Sequence, residues 1–292
     1  MSLLVRKLNR MAPAAIDMLL DGETGVGKEV HALAVHRVSR RKGAFVAINC
    51  AAIPDNLVES ELFGYARGAH STADRGKAGL VQQAEGGTLF LDEIGEMSQP
   101  AQSKLLRLLQ SRELLALGTT QARRLDVRVI AATNRDLRPN APERAGLRYD
   151  LIARLGPEPL TLLPLRERPE DIGRLVTFLT DAGTSFSPEA YQALFRHGWK
   201  GNVRELEKVL TLARVLAGAG APIDLPHLPT AMAATIDTSP LGVRALTRQR
   251  PTRGELAALL TRHDGDVAQL ARELGRQRTL VWRWLRENQL RP

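Results

Sequence analysis

Two short segments of the chain carry residue types that could do chemistry. The first, GETGVGKE from Gly22 to Glu29, sets three glycines and a lysine between an apolar run and a helical pattern. Gly22, Gly25 and Gly27 let the backbone turn so that its amides face an anion, and the following helix adds the positive end of its dipole. Lys28 would reach the terminal phosphates of a nucleotide, with Glu23, Thr24 and Val26 completing the cradle. Glu29 stands where such a loop usually places the hydroxyl that binds magnesium, so the metal's protein oxygen has to come from another segment.

The second segment, GGTLFLDEI, ends an apolar run in Asp92 and Glu93. Adjacent carboxylates at a strand end suit two tasks, one holding Mg2+ and the other polarising a water for attack on the terminal phosphate. Asp92 is expected to be the metal residue and Glu93 the base.

These groups need a scaffold that brings distant segments together. Short apolar runs at Ile16 to Leu20, Phe45 to Asn49, Thr88 to Asp92 and Val127 to Thr133 alternate with helical periodicity, the pattern of an α/β domain with a mostly parallel sheet. Each run ends in polar residues, where open sheets of this kind place their ligands. The helix after the loop is expected to bury Val30, Leu33, Ala34 and Val38 on one face. After Pro164 the strand signals stop. The expected organisation is an α/β nucleotide-binding subdomain over 1–164, a helical subdomain over 165–230, a linker over 231–251 and a small helical domain over 252–292.

Composition narrows the classes further. No stretch approaches the roughly 18 uncharged apolar residues of a membrane span, and the single cysteine, Cys50, permits no internal disulfide, which makes the cytoplasm the expected compartment. Cys50 lies in apolar INCAAI and is expected to be a buried small hydrophobe, and the six histidines show no ligand spacing. The net charge of +9 is unevenly spread, for eleven arginines face five acids after Leu241. A basic tail on a nearly neutral body points to double-stranded DNA as a partner.

The order and spacing of GETGVGKE, FVAINCAAIPDNLVESELFG, GGTLFLDEIGEM, VRVIAATNRDL, LPLRER and GNVREL resemble the AAA+ ATPase domain of bacterial sigma-54-dependent activators, the NtrC-like enhancer-binding proteins. The likeness runs from about Ala14 to Val215. It implies an ATPase with ATP and Mg2+ as cofactors, a homo-oligomeric ring of six or seven subunits, and sigma-54 RNA polymerase holoenzyme as a partner. It also implies individual roles. Asn49 matches the asparagine that restrains the catalytic glutamate, and its amide is expected to bond Glu93. Thr133 and Asn134 match the sensor I position, and Arg204 the sensor II arginine, with Asn202 as the expected N-cap of its helix and Glu205 at its third position. Arg148 and Arg154, six apart in LRYDLIARL, match the arginine fingers that reach a neighbouring subunit's γ-phosphate. Such a guanidinium is typically worth ~10³ to 10⁵ in rate.

The chain departs from the family at one functional loop. Where the family has GAFTGA, the loop that contacts sigma-54, this chain has Gly68, Ala69, His70, Ser71, Thr72 and Ala73. An aromatic tip buried against a partner contributes on the order of 2 kcal/mol, of which an imidazole recovers part. Thr72 in place of glycine penalises any positive φ. The alternative expectation is therefore a DNA-binding regulator in which nucleotide controls assembly without sigma-54 remodelling. About thirteen residues precede Ala14, fewer than the family carries. That difference is expected equally of a piece of a longer protein and of one that has lost its regulatory input.

The tail shows helical patterns around Glu255 to Arg262, Val267 to Leu274 and Arg278 to Asn288, with Leu274 and Gly275 at the turn. This is the arrangement of a helix-turn-helix and resembles the Fis-type domain that ends most sigma-54 activators. Val281 and Leu285, with Trp282, are expected to pack inward. Gln277, Arg278, Thr279, Arg283 and Arg286 are left to meet DNA edges and phosphates, and Trp284 is expected on the outer face as a dimer contact.

Overall fold

The computed structural model describes residues 2–14, 16–68, 75–135, 137, 146–156, 158–233, 253–263, 266–267, 269–270, 281, 284–286, 288 and 290. The chain divides into two compact units, 1–236 and 237–292. Most of the expected linker, 234–251, lies outside the described residues.

The first unit is built on a parallel sheet of β1 (Met18–Asp21), β2 (Phe45–Asn49), β5 (Thr88–Asp92), β8 (Arg128–Thr133) and β9 (Leu160–Thr161). These five strands lie in the order β2-β5-β8-β1-β9. Four lie where the apolar runs predict them. The fifth escapes that reading because it is two residues long and flanked by Pro159 and Pro164. Two antiparallel ribbons stand outside the sheet, β3 (Gly64–Tyr65) with β4 (Lys77–Ala78) and β6 (Glu113–Leu114) with β7 (Arg123–Arg124). β8 is buried along its whole length and β5 along all but its last residue, as expected of strands covered on both faces.

Helices α1 (Ser2–Met11), α2 (Lys28–Ser39), α3 (Asp55–Phe63), α4 (Leu80–Gln83), α5 (Gln99–Ser111) and α6 (Tyr149–Leu155) accompany the sheet. Leu62, Leu89, Ile94, Leu105, Leu109, Val129 and Leu151 share one core cluster, while Leu8, Met18, Leu20, Ala32, Val35, Phe90 and Ile130 share another. The face of α2 differs from the expected one. Its buried residues are Lys28, Ala32 and Val35, and Val30 and Val38 are exposed. Lys28 must enter the loop interior, and the residues four and seven places on then fall on the same face.

Past Pro164 the chain is helical, with α7 (Ile172–Leu179), α8 (Pro188–Arg196), α9 (Asn202–Ala217) and α10 (Thr230–Ala233). These close a separate core of Ile172, Val176, Leu194, Trp199, Leu206, Leu210, Ile223 and Met232. Trp199 is its anchor, fully buried, with Nε1 donating to Leu194 O at 2.8 Å.

In the second unit α11 (Arg253–Arg262) contributes Leu256 and Leu260 to a small core with Val267, Leu270, Val281 and Leu285. Val281 and Leu285 pack inward as expected. Trp284 does not stand outside but packs against this cluster, because it lies three positions after Val281. Trp282 lies outside the described residues.

Candidate functional site

Every polar strand end predicted from sequence lies at the same edge of the sheet. Asp21 pairs in register with Thr133, and Asn49 with Asp92. Residues from Gly22 to Gly27 turn at this edge, and α2 starts at Lys28 behind Gly27 at φ 100°. Lys28 is 6% exposed and donates through Nζ to Gly22 O at 2.8 Å. The same Nζ lies 3.7 Å from Glu93 Oε1. Glu29 is exposed at the outer side of the helix.

Glu93 occupies the left-handed region at φ 51°, directly after β5. That turn aims its carboxylate back at the loop, where Oε2 accepts the Asn134 N–H at 3.1 Å. Asn134 in turn donates through Nδ2 to Thr24 Oγ1 at 3.3 Å, and buried Thr133 fixes the following turn by accepting Arg135 N–H at 3.1 Å. Asp92 Oδ1 accepts the Glu93 N–H at 3.1 Å. Among the described residues no group of three or more His, Cys, Asp and Glu side chains could hold a metal ion. A metal at Asp92 would therefore complete its shell with phosphate oxygens and water, which suits a hard, strongly hydrated ion such as Mg2+.

Asn49 lies beside this pair, but its Oδ1 accepts the Ala51 N–H at 2.9 Å and caps the short turn Cys50–Ala52. The bond from the Asn49 amide to Glu93 expected from the sequence is not formed; Glu93 Oε2 accepts from the Asn134 N–H instead. Cys50 is buried, and desolvation, reinforced by Asp92 and Glu93, pushes its thiol pKa up to about 12. It behaves as the small hydrophobe expected.

The helical subdomain supplies the opposite wall of the loop. Gly25 accepts from the backbone of Val203 at 3.0 Å and of Arg204 at 3.4 Å. A Cβ at Gly25, where φ is +80°, would collide with Gly201 O, so only glycine permits this approach. Asn202 is not the N-cap: Gly201 takes that position, and Glu205 accepts the Gly201 N–H at 2.7 Å while His197 Nε2 lies 2.8 Å from its other oxygen. The Asn202 side chain is instead drawn inward, to Glu23 and Thr24. Three further contacts made by residues of LPLRER are not legible in the sequence pattern. Arg166 Nη1 donates to Glu23 Oε2 at 2.8 Å, and this bond holds the Glu23 carboxyl below the usual carboxylate range. Buried Arg168 donates to Val26 O at 3.0 Å, and Leu165 N–H is taken up by Asn202. The signal available was the pair of arginines next to a helical subdomain that had to face an anion site.

Arg148 is the N-cap of α6 and Arg154 lies in its last turn, and both reach α5. Arg148 forks onto Asp150, at 3.0 and 2.7 Å, and reaches Ser103 Oγ at 2.9 Å. Arg154 donates twice to Leu109 O, at 3.1 and 3.0 Å, near the C-terminus of α5. Gly68 follows the first strand of the β3–β4 ribbon at φ +80°, and Ala69, His70, Ser71, Thr72 and Ala73 lie outside the described residues. The neighbouring ribbon joins the base of that loop, with Ala66 N–H donating to Leu117 O at 2.9 Å. Of the expected DNA-contacting residues only Arg286 is described, and it is exposed, whereas Gln277, Arg278, Thr279 and Arg283 lie outside the described residues.

Residues 1–161 match the family described as the sigma-54 interaction domain, and residues 166–241 match the AAA+ ATPase lid domain. The chain is 39% identical over 296 residues to the transcriptional regulatory protein GlrR of Escherichia coli, covering 98% of this chain and 66% of GlrR. It is 40% identical over 303 residues to the nitric oxide reductase transcription regulator NorR1 of Cupriavidus necator, covering 93% and 59%. A crystal structure of NtrX from Brucella abortus in complex with ATP superposes with a TM-score of 0.72 at 29% identity, covering 99% of this chain and 68% of NtrX. The chain spans about half the length of the curated relatives it matches. No helix among the described residues is long and apolar enough to cross a membrane.

Proposed function

The chain belongs to the sigma-54 interaction domain family, with the AAA+ fold and its helical lid, and from that premise we propose that it is an ATP-hydrolysing, DNA-binding transcriptional regulator acting on sigma-54 RNA polymerase holoenzyme. The observation that carries this reading is the convergence of Lys28, Asp92, Glu93 and Asn134 at one sheet edge beneath the start of α9. The loop amides and Lys28 bind the phosphates, so that Lys28 exchanges its carbonyl partners and Glu93 for phosphate oxygens. Glu93, released from the lysine, orients and deprotonates the attacking water, and Asn134 reports the state of the γ-phosphate through its bonds to Glu93 and Thr24. Bound Mg2+, held by Asp92, would neutralise developing charge on the phosphates.

Arg148 and Arg154 act in trans in a homo-oligomeric ring of six or seven subunits, and the tail binds double-stranded DNA through Gln277, Arg278, Thr279, Arg283 and Arg286. The direct test is ATPase activity against protein concentration, followed by mixing an Arg154→Ala variant with a Glu93→Gln variant. Each alone should fall by about 10²-fold or more. The mixture should regain activity, because some interfaces then carry both intact groups. Activity independent of concentration, with no recovery on mixing, would exclude trans catalysis.

One feature of the sequence favours a second reading. With His70, Ser71 and Thr72 in the loop, ATP turnover would control assembly on DNA without driving sigma-54 remodelling. Sigma-54 binding in the presence of an ATP transition-state mimic separates the two, as does its response to restoring phenylalanine, threonine and glycine at positions 70, 71 and 72.

A further inference from the structure

Asn202 is fully buried, yet none of the nucleotide chemistry above uses it. Its backbone sits at φ 55°, a left-handed conformation that asparagine tolerates better than most residues. From there one amide reaches three residues in two distant parts of the chain. Oδ1 accepts the Leu165 N–H at 2.7 Å, where the lid begins, and Nδ2 donates to Glu23 Oε2 at 3.1 Å and to Thr24 O at 3.0 Å, inside the phosphate loop. Both amide protons are thus committed to the loop while the carbonyl is committed to Leu165 at the start of the lid. Beside it, Gly25 O accepts from Val203 and Arg204, so the residue that fixes the loop immediately precedes the turn that carries Arg204.

We infer that Asn202 is a positioning residue that couples the state of the phosphate loop to the position of the lid. The inference rests on the proposed ATP-binding function. When nucleotide draws the Glu23–Thr24 backbone around its phosphates, the loop cannot move without either carrying Asn202, and with it Leu165 and Arg204, or leaving buried polar groups unpaired. Aspartate is nearly isosteric and equally tolerant of φ 55°, but has no N–H to offer. In an Asn202→Asp variant the bond from Leu165 survives, and both loop contacts become acceptor against acceptor.

The test is hydrogen exchange of the full chain with and without adenosine 5′-(β,γ-imido)triphosphate and magnesium, read over 20–30 in the loop and over 163–168 and 198–206 in the lid, together with KM and kcat for ATP. In wild type both regions should be protected, the lid by about tenfold. Asn202→Asp should keep loop protection, lose most lid protection, and lower kcat more than it raises KM. Glu23→Gln, at a more exposed site, should show the same pattern more weakly. Combining the two should recover part of the lid protection, since the amide that Glu23→Gln introduces can donate where Asn202 did. Equal lid protection in Asn202→Asp and wild type, with unchanged kcat, would overturn the inference alone, as would a double variant no better than Asn202→Asp should that variant melt early. No loop protection in wild type would overturn ATP binding itself, and the coupling with it.

Discussion

The two walls of the proposed nucleotide site are built by opposite means. The phosphate wall is a single uninterrupted segment, Gly22 to Lys28, whose glycines, helix start and lysine specify one another over a few positions. The lid wall reaches that segment from 142 to 179 positions away, through Arg166 on Glu23, Arg168 on Val26 O and Asn202 on Glu23 and Thr24. The local wall is expected to retain its conformation when its partners change. The distant wall holds only while several polar contacts form together, which makes it the adjustable half of the site.

The strongest test of this contrast is Lys28→Ala. It removes the charge that the phosphate wall offers and should weaken ATP binding by about 100-fold or more, the scale of two lost charge-assisted hydrogen bonds. The lid should stay folded, because its core of Ile172, Leu194, Trp199 and Leu206 does not involve Lys28. Equilibrium binding and the thermal unfolding of Lys28→Ala measure the two halves separately, and joint loss would break the comparison.

Gly25→Ala strikes the seam between the walls. The added methyl meets Gly201 O and strains a φ of +80°, so the start of α9 must back away from the loop. Turnover should fall by about tenfold while binding falls less, given a left-handed penalty of roughly 1 to 2 kcal/mol. A crystal structure of the variant with α9 undisplaced would show that the seam is looser than these distances indicate.

The smallest effect concerns pH. Burial holds His31 below its ordinary pKa while its Nδ1 lies 2.8 Å from Gly27 O. A depressed folded-state value means that the unfolded chain binds the proton more readily, so this contribution to stability is present above about pH 6.5 and is lost as pH falls below it. The urea midpoint should drop between about pH 7.5 and 5.5, and His31→Gln should remove part of that drop. An identical drop in the variant would assign it to other groups.

Much of this was legible because it is short-range or periodic. Four strands declared themselves as apolar runs, and the loop, Asp92 and Glu93 sat at their ends. Where the sequence misled, two local solutions competed. Asn202 after a turn reads as an N-cap, but Gly201 serves as cap and leaves the amide to the loop. Two stripes along α2 can each face inward, and the one through Lys28 does. Glu93 takes its donor from the Asn134 backbone, while Asn49 Oδ1 caps its own turn through Ala51 N–H.

By itself the sequence determined the strand ends, the glycine-rich turn before α2 and the buried character of Cys50, because each depends on residues within a few positions of one another. The tertiary structure alone decided which carboxylate Lys28 approaches, which arginine pairs with Glu23 and where the Asn202 amide points. Those are contacts between groups far apart in sequence, and a pattern of residue types does not encode which of several equally polar partners will lie within hydrogen-bonding reach.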